Sequence, residues 1–74
     1  MNDFRELFRY EKAGRVRIYN LRAVSHGAEL WVASSKAGKV TASRKLMTFN
    51  NPDEATIVQK DVEHTLRAGG WREI

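Results

Sequence analysis

Lys36 and Lys39 flank Ala37-Gly38, and Arg44 and Lys45 follow a few residues on. Ammonium and guanidinium groups beside a glycine-containing turn can meet phosphate oxygens without crowding, the guanidinium through two parallel hydrogen bonds. Arg15 and Arg17 lie two residues apart, so in an extended segment they share a face and can enlarge such a patch. Arg44 and Lys45 are adjacent and would point to opposite faces of a strand, so only one of them can join it. The candidate nucleic-acid-binding set is therefore Arg15, Arg17, Lys36, Lys39, Arg44 and Lys45. The competing explanation is a solvated hairpin whose lysines keep an edge strand from aggregating. Tyr19 and Trp31 stand among these cations and have the chemistry to stack on bases. A chain with two Trp and three Phe needs most of them for its core, so Trp31 is expected to be buried and Trp71 to be a packing anchor.

Other chemistry is poorly supplied. His26 and His64 are the only imidazoles, they are far apart, and the chain has no cysteine. Neither a disulfide nor a thiolate metal site can form, and neither a metal nor a cofactor is expected. Asp53 and Glu54 fall at a helix start, where the helix dipole accounts for them. Asp61 and Glu63 read as a solvated helix face. Phosphate-loop, zinc-protease and nucleophile-elbow patterns are missing from the chain, and Ser34-Ser35 has no base at a recognisable spacing. A binding module is expected, not an enzyme.

The cations gain meaning from their distribution. The chain has 74 residues, 13 basic and 9 acidic, for a formal charge of +4. Between Lys12 and Asn51 eight basic residues face only Glu29, a net +7, and the two ends together carry −3. A positive middle between acidic flanks suits nucleic acid, DNA ahead of RNA, or an acidic protein surface. The terminal helix with its carboxylates is expected to turn away from the basic face. No apolar run is long enough to span a membrane, and the charged N-terminus does not read as a signal peptide. A cysteine-free single domain, monomer or homodimer, is expected in the cytoplasm.

The elements that would position these residues can be read in order. Asn2 or Asp3 with Glu6 resembles a capping box, and Phe4, Leu7 and Phe8 recur at helical spacing, which predicts a short N-terminal helix over 3–11. Strands are expected within 15–49. Arg15–Val24 is the first, and there Val16 and Ile18 take one face while Tyr19, Leu21 and Ala23 take the other. That change of phase calls for a bulge near Ile18 or a strand covered on both faces. A turn at Ser25–Gly27, a strand at Glu29–Ser34, a turn at Ser35–Gly38 and a strand at Val40–Phe49 follow. Asn51 then caps a helix over 52–68 that starts with Pro52 and carries the stripe Ala55, Val58, Val62, Leu66. Gly69-Gly70 stops it, and 69–74 is a tail. The expected fold is α+β, a small antiparallel sheet of about three strands packed by the C-terminal helix, with the short N-terminal helix beside it.

This order and several of its residues resemble a WGR domain, the small DNA-associated module of poly(ADP-ribose) polymerases. RIYNLRAV is similar to the family's opening strand, AGKV (Ala37–Val40) stands where the family has WGRV, and Pro52–Ala55 stands at its helix start. LRAGGW resembles the family's helix end, so the likeness spans residues 15–72. It implies a sheet-and-helix fold that associates with DNA. Ala37 replaces the signature Trp and Lys39 the signature Arg, so the DNA-end contacts of those two residues do not carry over. The expectation is a small basic module that binds nucleic acid mainly through the phosphate backbone. The rival expectation is a protein–protein interaction module, such as a phage- or mobile-element-encoded inhibitor of a host nucleic-acid machine.

Overall fold

The computed structural model describes residues 4–74, position 52 by its backbone alone. The elements are β1 (Phe4–Lys12), β2 (Arg15–Val24), β3 (Gly27–Lys36), β4 (Lys39–Phe49), α1 (Pro52–Ala68) and β5 (Arg72–Glu73). The strands form one antiparallel sheet in the order β4-β3-β2-β1-β5. The first four make a meander. After it α1 crosses one face of the sheet, and β5 adds to the far edge beside β1. No helix among the described residues is long and apolar enough to cross a membrane.

The expected N-terminal helix over 3–11 is instead strand β1, and the sheet has five strands where about three were expected. The proposed cap at Asn2 or Asp3 lies outside the described residues. A bulge explains the misleading spacing. Glu6 pairs with Asn20 and Phe8 with Tyr19, so Leu7 is an extra residue in β1. Phe4 therefore lies on the outer face against Trp31, and Phe8 lies under the helix. Three apolar residues at helical spacing are thus a strand whose faces exchange at Leu7. Ala13-Gly14, which looks like a helix stop, is a two-residue hairpin turn with φ of 51° and 78°. Ala37-Gly38 repeats it with 54° and 80°. Both turns have the two positive φ angles of a type I′ turn, whose twist matches that of the strands it joins.

The core lies between α1 and the sheet. Phe8, Tyr10 and Tyr19 from β1 and β2, Leu30 and Val32 from β3, and Ala55 and Leu66 from α1 are all buried. The Phe8 and Tyr19 rings stack at 5.0 Å. The Tyr10 hydroxyl donates to Glu63 on α1 at 2.9 Å, so its burial leaves no polar atom without a partner. Helix 52–68, its Asn51 cap and its apolar stripe agree with the sequence reading. The Asn51 side chain accepts from the Glu54 amide, and the Glu54 carboxylate accepts from the Asn50 amide. At the other end the Gly70 and Trp71 amides donate back to Arg67 and Leu66, the pattern of a Schellman stop with Gly70 in the left-handed region. That stop folds Trp71 back against the core.

Candidate nucleic-acid interface

Alternation along the strands sorts the cations by face. Tyr10, Arg17, Ser34 and Ala42 form one cross-strand row, and Phe8, Tyr19, Val32 and Arg44 form the next. Because Tyr10 and Tyr19 are covered by α1, Arg17 and Arg44 lie on the helix side too. The outermost row on this side is Lys12, Arg15, Lys36 and Lys39, one cation from each of four adjacent strands. At the usual strand spacing it spans about 14 Å. Two turns create it, since Ala13-Gly14 sets Lys12 opposite Arg15 and Ala37-Gly38 sets Lys36 opposite Lys39.

Among the described residues, none of Arg15, Arg17, Lys36, Lys39 and Arg44 has a carboxylate within 4.0 Å. Lys12 donates to the Gly69 carbonyl at the end of α1. The Arg17 guanidinium lies over the Trp71 ring at 4.5 Å, a contact that holds the charge in place without neutralising it. Arg15, Arg17, Lys36 and Trp71, with Ser34 and Thr41, line a cleft of about 290 Å³. Hydroxyls and cations around an open cleft can bind an extended anion by hydrogen bonds that need no particular sequence.

The six candidate residues thus divide. Arg15, Arg17, Lys36, Lys39 and Arg44 come together, and Lys45 does not. It lies on the opposite face, where its ammonium is 3.5 Å from Glu29. Lys12 belongs with the cluster although the candidate set does not include it, since it falls just beyond the helix expected over 3–11. The signal that finds it is the repeated Ala-Gly dipeptide with a cation on each side. Trp31 is half-buried on the outer face rather than in the core, edge-on to Phe4 and donating from its indole to Glu29 at 3.1 Å. Tyr19 is buried under α1 and cannot offer a face to a base. The helix is not turned away from the basic side either, for it packs on that very face. Asp61 lines the groove between α1 and the strand residues Leu46 and Met47, and Glu63 turns toward Tyr10 and Arg67. His26 and His64 are both exposed, one in the turn after β2 and one on α1.

Strand β4 reaches this face by an irregular route. Bulges fall between Leu30 and Trp31 and between Ser34 and Ser35 relative to β3. They leave Thr41 and Leu46 as extra residues in β4, so Ala42, Arg44 and Met47 share the helix side while Val40, Ser43 and Lys45 share the outer one. Simple alternation from Val40 would have put Ala42 and Leu46 on one face and Lys45 and Met47 on the other. Against known proteins, no family model, no curated sequence and no solved structure matches this chain.

Proposed function

We propose that the protein is a binding module that holds the phosphate backbone of a nucleic acid, with Arg15, Arg17, Lys36, Lys39 and Arg44 as its principal contacts and Lys12 beside them. The observation that supports this is the four-strand row of Lys12, Arg15, Lys36 and Lys39. Like charges directly opposite on a sheet destabilise it, and no carboxylate within 4.0 Å relieves them among the described residues. An anionic ligand accounts for an arrangement that folding alone disfavours. DNA is the preferred partner because of the WGR resemblance, and the setting is the cytoplasm. The module does no chemistry of its own on this reading.

Fluorescence anisotropy with a labelled duplex at about 50 and about 200 mM salt tests it. If about four phosphates are neutralised, the log–log salt slope is roughly −3.6. Lys36→Glu with Lys39→Glu should abolish measurable binding at the higher salt. Lys45→Ala, on the opposite face, should leave the affinity unchanged. No binding at the lower salt, or binding indifferent to salt, would remove the proposal, and a labelled RNA duplex run alongside decides the preference for DNA.

A further inference from the structure

A sheet covered by a helix on one side normally alternates apolar residues inward with polar residues outward. Strand β2 breaks that rule. It pairs with β3 in unbroken register from Arg15 to Val24, so the change of phase in its sequence is not a bulge. Arg15, Arg17, Tyr19 and Leu21 point to the helix side, and Val16, Ile18 and Val24 point outward. On β3 the outward residues include Trp31 and Ala33, with Ala33 directly opposite Ile18. Phe4 sits edge-on to Trp31 at 5.6 Å, and Val40 lies beyond Ser35 at 65% exposure. The outer face therefore has an apolar middle on its two central strands, Trp31, Ile18, Ala33 and Val16. Helix α1 packs on the other side of the sheet.

The charges around this middle differ in kind from those on the helix side. Glu6 holds Arg9 at 2.8 Å, Glu11 holds Arg72, and Glu29 lies within 4.0 Å of both Arg22 and Lys45. Each of the three carboxylates has a cationic partner, and three of them meet four cations. An apolar centre inside a rim of satisfied polar groups is the anatomy of a protein interface. The molecule is a slab of 37 × 28 × 16 Å, so its broad face offers at most about 1,000 Å², against the roughly 800 Å² per partner of a standard interface.

We infer that this outer sheet face docks against the same face of a second copy of the chain. Size and charge both favour a copy over another partner. The face is large enough for a stable two-fold contact, and its near-neutral rim can meet its own image with little repulsion. The helix side could not do so, because its unpaired cations would face their own kind. The product is a four-layer dimer, helix–sheet–sheet–helix, with the sheets about 10 Å apart. Ile18, Ala33 and Trp31 form the centre of the contact, where truncation or charge is felt most.

Light scattering on the full chain across a micromolar to submillimolar range tests the inference. The expected mass is twice the 8.5 kDa of one chain. Ile18→Glu should raise the dissociation constant at least about 30-fold, the effect of losing one hot-spot residue, with the circular dichroism of the monomer unchanged. Val40→Glu is the second variant, since a side chain already 65% exposed cannot disturb the monomer's fold, and it should weaken the dimer by a smaller factor. Met47→Glu, on the helix side, should leave the mass of the wild type. A wild-type mass of one chain throughout the range overturns the inference. So does a dimer that survives both Ile18→Glu and Val40→Glu, or one that Met47→Glu alone disrupts.

Discussion

At Gly27 the backbone has φ of +141°, and a Cβ placed there would sit 1.9 Å from the Phe49 carbonyl oxygen. Neither the conformation nor the space admits a side chain, because the obstacle is backbone on the adjacent strand. Gly27→Ala should cost about 3 kcal/mol or more, read by urea denaturation, and a loss below about 1 kcal/mol would mean the β3–β4 pairing relaxes freely there. Ala37 shows the opposite case. Its φ of 54° burdens a residue with a Cβ, and Asn is far better suited to that position. Ala37→Asn should therefore stabilise the fold by roughly 0.5–1 kcal/mol in the same assay. Glu29 supplies a pH signature. The Trp31 indole hydrogen bond, aided by the charges of Lys45 and Arg22, holds its carboxyl below the usual value of 4.5. A carboxyl depressed in the folded state stabilises above its unfolded value, and that contribution disappears as pH falls through the folded one. Glu29→Gln should flatten the acid limb of the stability profile below about pH 4.5 relative to wild type. Arg15 with Arg17 and Lys36 with Lys39 were legible because spacing of two within a strand, and two residues between strands, determine which side chains face together, whereas Lys12 was hidden by the helix expected before it. The position of Trp31 was not legible, since composition says that aromatics must be buried but not on which face of a sheet.

At the scale of elements, α1 could be read to its ends because its signals are local. A capping side chain, the backbone N–H it accepts from three residues on and a terminal glycine pair act within one turn of helix. Asn51→Ala should remove one of those signals and cost about 1 kcal/mol, without altering the span of the helix, as thermal melts and amide exchange would show. β1 was not legible, because the single extra residue at Leu7 gives Phe4, Leu7 and Phe8 the spacing of a helix. What decides against a helix is pairing with Arg15–Arg22, a contact that the local pattern does not encode. β4 hid its faces for the same reason, with two bulges resetting its alternation. β5 has only two residues, too few to carry any pattern. Its place at the edge follows from the Schellman stop, which returns the chain toward β1, where the Ile74 amide donates to the Arg9 carbonyl at 3.1 Å.

For the whole molecule, the two faces of the sheet divide the charge between them. Among the described residues four of the six ion pairs lie on the outer side, whereas Arg15, Arg17, Lys36, Lys39 and Arg44 on the helix side have none, so a net charge of +4 understates the field over the cleft. Between about 50 and about 500 mM salt, screening should relax the repulsion within the row of Lys12, Arg15, Lys36 and Lys39. The melting temperature of the free protein should rise over that range while its affinity for nucleic acid falls. A Tm that declines with salt would mean that the row carries little mutual repulsion. Ligand at a hundredfold excess over its dissociation constant would add about 2.7 kcal/mol to the folded state, a rise in Tm of roughly 10–20 °C for a domain of this size. The row of cations then has a consequence for turnover. On the proposed function the occupied chain would resist proteases better than the empty one, so its abundance in a cell would follow the supply of that polyanion as well as its rate of synthesis.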